Sequence, residues 1–243
     1  MSTPNSILSW SGGKDASLSL YYLQQENREV NTLFTTINKH LQRITMHGVH
    51  ISLLEKQVES LGCKLELISL PENISMKKYN DLMGNFLQAK RDLGVEEVVF
   101  GDIYLEDLKN FRDKELAQFK LNTHYPLWGK NTLKIAEEFI QLGFKAIVVA
   151  VSSNKLGEEH VGKEFDLDFI NSLPKDVDPC GENGEFHTFV YNGPNFKFPV
   201  ELQKGEITYK TYASAENDDD CFCDDENSEN WDKGFWFCDL KLA

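Results

Sequence analysis

Residues 6–17 read Ser6-Ile7-Leu8-Ser9-Trp10-Ser11-Gly12-Gly13-Lys14-Asp15-Ala16-Ser17: an apolar strand pattern that runs into two glycines and then into a helical repeat. The glycines open backbone conformations closed to other residues and let a ligand approach the loop amides. From Asp15 to Leu23 the apolar residues fall at helical spacing, so the unpaired N–H groups and positive dipole end of a new helix point at the loop. Lys14 adds a mobile cationic head, and Asp15 can cap the helix or hold a magnesium ion. A lone Gly-Gly pair is usually just a turn. A Ser-Gly-Gly-Lys-Asp string at a strand-to-helix junction instead suits the phosphates of a nucleotide. The spacing is neither that of a Walker A loop nor that of the Gly-x-Gly-x-x-Gly dinucleotide fingerprint.

Outward from this loop, strands and helices alternate. Val30–Ile37 reads as a second strand, and Ile51, Leu54, Val58 and Leu61 share a helical face that Gly62 ends. Lys64–Leu70 is a third strand, Met76–Leu93 a helix, Glu97–Asp102 a fourth strand and Leu105–Phe119 another helix. This beat predicts an α/β fold, a parallel sheet with helices on both faces whose ligands sit beyond the carboxyl ends of the strands. Those ends are Ser11-Gly12-Gly13, Thr36-Ile37-Asn38 and Gly101-Asp102-Ile103. Thr36, Ile37 and Asn38 are candidate adenine contacts, although a strand-end threonine is more often structural. From Pro126 the period becomes less regular, which sets the expected boundary between a nucleotide-binding unit, 1–125, and a smaller α+β unit, 126–243. A helix at Thr132–Leu142 and strands at Phe144–Val151, Glu201–Tyr212 and Gly234–Leu240 fill the second unit.

With 243 residues, 41% of them hydrophobic, the chain can bury a substantial core. Residues 1–6 lack the charged start and apolar run of a signal peptide, and the run Ala146–Val151 is far short of a membrane span, so the expected location is cytoplasmic. Five cysteines scattered through a chain of this size point to reduced thiols. Cys221, Cys223 and Cys238 could offer three thiolates to zinc, but Cys-x-Cys is off the usual spacing and no fourth ligand stands out. The net charge is −14, and the stretch 216–229 alone carries eight acidic residues and no basic one, which suggests an excursion from the fold. An acidic balance speaks against broad binding to a nucleic-acid backbone.

The second half holds one further constellation. Gly181-Glu182-Asn183-Gly184-Glu185-Phe186-His187-Thr188 crowds Glu182, Asn183 and Glu185 into a flexible turn beside His187. Such a turn could bind a cation, steer ammonia or hold a metal, and the plain alternative is a solvated turn before a strand.

The Ser11–Asp15 string resembles the signature of the PP-loop ATP pyrophosphatases, with Ala16 where that signature has serine. The Gly181–Thr188 segment, together with His47-Gly48-Val49, Gly101-Asp102-Ile103 and Pro126-Leu127-Trp128-Gly129, resembles the diphthine-ammonia ligase branch over roughly residues 5 to 200. That resemblance implies ATP and magnesium, cleavage of ATP to AMP and pyrophosphate as a substrate carboxylate is adenylated, and attack by ammonia. It implies Ser11, Gly12, Gly13, Lys14, Asp15 and Ser17 at the phosphates, with magnesium on Asp15. It further implies Lys14, Asp102 and Glu185 as the catalytic set, and Glu182, Asn183, His187, Arg112 and Trp128 on the substrate side. The rival expectations are a PP-loop enzyme that modifies RNA and a non-catalytic ATP-binding protein.

Overall fold

Ile7 and Leu8 are neighbours in one strand and enter different cores, as the two-residue period of a strand requires. In this computed structural model, which describes residues 3–44, 47–71, 74–212 and 233–243, that strand is β1 (Ser6–Ser9). The chain continues through α1 (Lys14–Gln25), β2 (Thr32–Asn38), β3 (Arg43–Ile44), α2 (Ile51–Leu61), β4 (Lys64–Leu70), α3 (Met76–Asp92), β5 (Glu97–Val99), α4 (Glu106–Ala117) and β6 (Asn122–His124). β1 pairs in parallel with β2 and β5, β2 with β4, and β5 with β6. The order β4-β2-β1-β5-β6 therefore reverses direction at β1, which makes the loop after β1 the topological switch point. The two-residue β3 adds antiparallel to Ile37 and Asn38 at the end of β2.

Each face of the sheet carries helices, as the alternation predicts. Ile7, Phe34, Ile68 and Val98 pack with Leu87 of α3 and Leu116 of α4. Leu8, Leu33 and Val99 share the other core with Leu18 and Leu20 of α1 and Leu53, Leu54 and Val58 of α2. Local chemistry sets the helix ends: His50 caps α2 by accepting the Ser52 N–H, and Gly62 ends it at φ 70°, where a side chain would be strained.

A second sheet follows. α5 (Thr132–Gln141) leads to β7 (Lys145–Ser152), a short 3₁₀ turn at Glu158–His160, α6 (Leu167–Ser172), β8 (Phe186–Asn192), β9 (Leu202–Tyr212) and β10 (Lys233–Leu242). These strands form an antiparallel sheet in the order β8-β7-β10-β9. Ala146 and Val148 of β7 and Phe189 and Val190 of β8 belong to the core shared by α1 and α2, so apolar burial joins the two sheets. The acidic stretch 216–229, with Cys221 and Cys223, lies outside the described residues. Among those described, Cys63, Cys180 and Cys238 are free thiols, and no helix is long and apolar enough to cross a membrane.

Candidate active site at the switch point

The glycines after β1 are held to their places by their surroundings. Gly12 has φ +76°, and a Cβ there would lie 2.9 Å from Leu54 Cδ1. A Cβ on Gly13 would come within 3.0 Å of His47 Cε1 and 3.1 Å of the Thr188 carbonyl oxygen. The Gly13 N–H donates to Ser11 Oγ at 3.2 Å, and Gly13 precedes α1 as an N-cap residue with no side chain to cap it. Thr188 of β8 reaches the same point, its Oγ1 accepting the Lys14 N–H at 3.1 Å. A helix start whose own N-cap residue brings no capping side chain, set beside two glycines, places the positive end of the dipole where an anion can sit.

Ser17 lies beneath this loop. It is fully buried, and its hydroxyl donates to the Gly13 carbonyl at 2.9 Å, so it braces the turn from inside the helix. Lys14 also turns inward. Where the sequence suggests a mobile head, the structure shows a side chain 4% exposed whose ammonium bonds Asp15 Oδ2 at 2.8 Å and the Cys180 carbonyl, with the Phe186 and Phe165 rings at 5.5 and 5.8 Å. Burial alone would weaken its hold on the proton, but the acidic groups around it, Asp15 first and then Cys180 and Glu182, more than offset that and raise Lys14 above its ordinary range. Lys14 thereby ties the start of α1 to the loop that precedes β8.

That loop is the Gly181–Glu185 turn. Glu182 Oε1 accepts the Ile103 N–H at 2.7 Å and the Tyr104 N–H at 3.3 Å, and the Tyr104 hydroxyl donates to Asn183 Oδ1 at 3.0 Å. The loop after β5 is thus clasped to the turn before β8. Burial pushes Glu182 up to about 7, opposed by its bond from Ile103 and reinforced by the Asp15 charge. Asp102 is paired with Arg112, whose guanidinium lies 4.3 Å from the centre of the Phe100 ring. Burial nevertheless raises the Asp102 carboxyl above its usual range. Gly101 allows this approach, since a Cβ there would be 3.1 Å from the Ala16 nitrogen.

Glu185 is 3% exposed, and its carboxylate is taken up by its own turn. Oε1 accepts from the Asp178 N–H at 3.2 Å and Asn183 Nδ2 at 2.9 Å, and Oε2 accepts the Asn183 N–H at 3.0 Å. Beside it, the His187 and His47 rings lie against each other at a tilt of 35°, centres 4.5 Å apart, and His47 Nδ1 lies 3.1 Å from the Thr188 carbonyl oxygen, which makes Nδ1 the donor. Burial lowers His47 to about 4 and His187 well below its usual value, so both rings are neutral at pH 7.

The remaining candidates sit further out. Asn38 Oδ1 accepts the N–H groups of His40 and Leu41, 2.9 Å each, in a turn of its own, while Ile37 is buried and Thr36 is half-buried. Trp128 packs against Tyr125, with the Lys109 ammonium over both rings. Among the described residues no group of three or more metal-ligating side chains converges. Asp15 Oδ1 is buried without a partner.

Gln57 is the participant that the sequence reading passes over. It is fully buried on α2, its Nε2 donating to the Gly12 and Val190 carbonyls at 2.9 and 2.6 Å and its Oε1 accepting from Trp10 Nε1 at 2.9 Å. Its signal is a glutamine between Leu54 and Val58, close to the apolar stripe of an amphipathic helix.

Residues 4–118 match the diphthamide synthase N-terminal domain, and residues 131–217 match the diphthamide synthase C-terminal domain. The chain belongs to the diphthamide synthase family. Diphthine--ammonia ligase of Danio rerio is 31% identical over 181 residues, which cover 72% of this chain and 69% of that protein. The human protein of that name is 23% identical over 181 residues, covering 72% and 67%. A crystal structure of a predicted subunit of tRNA methyltransferase from Methanocaldococcus jannaschii aligns at a TM-score of 0.40 and 17% identity, over 61% of this chain and 79% of that one, too weakly to carry weight. In this member of the diphthamide synthase family the site draws on both matched domains: the glycine loop and Gln57 come from the N-terminal one, the Gly181–Thr188 segment from the C-terminal one.

Proposed function

We propose that the chain binds ATP at the Ser11-Gly12-Gly13 loop, joins its AMP half to a substrate carboxylate and lets ammonia displace that AMP to form an amide. The family makes it an ATP-dependent carbon–nitrogen ligase. The order of steps, and diphthine as the carboxylate after the names of the relatives, are our reading. The observation that carries it is the start of α1 at a two-glycine turn on the switch point, faced by Thr188 and the Gly181–Glu185 turn.

Each residue then has a task. A carboxylate oxygen attacks the α-phosphorus and pyrophosphate leaves; ammonia next attacks the acyl carbon, the bond to AMP breaks and one proton is lost from nitrogen. The departing pyrophosphate concentrates negative charge, and the positive dipole end of α1 is already oriented toward it. Lys14 adds positive charge in a dry environment and fixes the facing loop, so its effect comes through field and position. Asp15 Oδ1, buried and unpartnered, is the atom that would hold a magnesium ion at this site. When bound, that ion neutralises phosphate charge. We assign the proton lost by nitrogen to Glu182, whose carboxyl titrates near neutral pH. Glu185 and Asp102 position the two loops that Glu182 joins. Free thiols and dependence on ATP accord with the cytoplasm, the location we assign.

The test is a pyrophosphate-release assay with labelled ATP, ammonium and a diphthine-bearing acceptor protein. Equimolar AMP, pyrophosphate and amide are expected. Tight ATP binding with no pyrophosphate released would make the chain a non-catalytic nucleotide-binding protein, and release that needs RNA would make it an RNA-modifying enzyme.

A further inference from the structure

The two edges of the antiparallel sheet are treated differently. At one, β8 is closed: the Val190 N–H donates to the Gly12 carbonyl at 2.9 Å, and Gln57 covers the Val190 carbonyl. At the other, β9 pairs only with β10 among the described residues and runs for 11 residues. Residues 206–211 are all exposed, Ile207 at 41% and Tyr209 at 47%. A long edge of β-branched and aromatic residues presents a row of backbone donors and acceptors to any chain that can match it.

We propose that this edge binds a second copy of the same chain, β9 against β9 in antiparallel register about a two-fold axis at Thr208. The sequence Glu206-Ile207-Thr208-Tyr209-Lys210 is self-complementary about that point. A two-fold axis perpendicular to the sheet sets residues equidistant from Thr208 opposite each other on the same face. Glu206 then meets Lys210 of the partner subunit twice over, and Ile207 meets Tyr209 of the partner subunit. Opposite charges and an aromatic beside a β-branched residue are favourable cross-strand pairs. Moving the axis to Ile207 would set Lys204 against Lys210, and moving it to Glu206 would set two glutamates face to face. Charge favours Thr208 over those two registers; an axis at Gly205 would also oppose Lys204 and Glu206, but it would set Ile207 against Gln203 instead of an aromatic residue. The β9–β10 pairing supports it: Thr208 lies opposite Phe237 and Tyr209 opposite Trp236, so Glu206, Thr208 and Lys210 share one face and Ile207 and Tyr209 the other. The two four-stranded sheets would become one sheet of eight, with the glycine loops at its far ends.

Sedimentation equilibrium of the full chain is expected to give twice the 27.8 kDa chain mass. Glu206→Lys alone, or Lys210→Glu alone, turns both symmetric pairs repulsive and should raise the dimer dissociation constant roughly tenfold or more. The double variant Glu206→Lys/Lys210→Glu restores opposite charges and should return it to near the wild-type value. Wild-type far-ultraviolet circular dichroism and thermal midpoints in the single variants separate lost pairing from lost folding. A wild-type chain that stays monomeric across the concentration range, or a dimer indifferent to the single reversals, overturns the proposal.

Discussion

The side-chain nitrogen of Gln57 lies 2.9 Å from the carbonyl oxygen of Gly12, so a residue of α2 sets the height of the glycine loop. The same amide group holds Val190 of β8 and Trp10 of the loop itself, which puts both sheets and the glycine turn on one side chain. Gly12 keeps a second donor in the Val190 N–H, whereas the Trp10 indole has no other acceptor among the bonds described.

Gln57→Leu keeps most of the volume and removes the amide. It should cost about 2–3 kcal/mol, the penalty for buried polar groups left without partners. Urea unfolding measures the loss, and ATP affinity should fall with it. A variant as stable as wild type would show that water or repacking satisfies Trp10 and Val190.

Lys14→Met leaves the Asp15 carboxylate beside a buried apolar chain. Breaking a buried pair from one side should cost about 3 kcal/mol. Adding Asp15→Asn removes the stranded charge and should recover most of that stability. Pyrophosphate release should be lost in both variants, since neither restores the positive charge. Activity in the double variant would take Lys14 out of the chemistry.

Glu185→Ala strips the acceptor from the N–H groups of Asp178 and Asn183. The turn should loosen while the glycine loop keeps its shape, because no bond described joins Glu185 to residues 11–14. ATP should still bind within a few-fold of wild type, while amide formation falls roughly 100-fold, the usual cost of misplacing reacting groups by about 1 Å. Equal losses in both would mean that the turn also shapes the nucleotide site.

What the sequence discloses follows from range. The strand, glycine turn and helix at residues 6–23 and the alternation up to Leu116 rest on local periodicity, and they stand in the structure within a few residues of the expected bounds. β3, β6 and α6 are too short to show a period. The direction of Lys14 was not legible, because nothing near it in the chain reveals Cys180, 166 residues away, as an acceptor. The use made of Glu185 was hidden differently: two carboxylates in a glycine-rich turn look the same in sequence whether they face a ligand or fold back onto their own amides. Ser17 had one local clue, four residues from Gly13 at the spacing of a helical back-bond.

The pH dependence of stability tests two buried groups whose effects oppose each other. His47 has a pKa of about 4 folded against 6.5 in its ordinary state, so between those values the unfolded chain binds more protons. Its contribution is complete above pH 6.5 and is lost as pH falls toward 4, by up to about 2 kcal/mol once partial exposure is allowed for; His187 acts in the same direction. Glu182 is raised from 4.5 to about 7, so there the folded chain binds more protons, and stability present below 4.5 is lost as pH rises through 7. His47→Gln, which can still donate to the Thr188 carbonyl, should flatten the acid side of the curve and leave the neutral side unchanged. Glu182→Gln, which can still accept from Ile103, should be more stable than wild type at pH 8 and little different at pH 4.5. Denaturant midpoints from pH 4 to 8 separate the two, and a Glu182→Gln curve parallel to wild type across that range would place the Glu182 carboxylate in water rather than in the clasp.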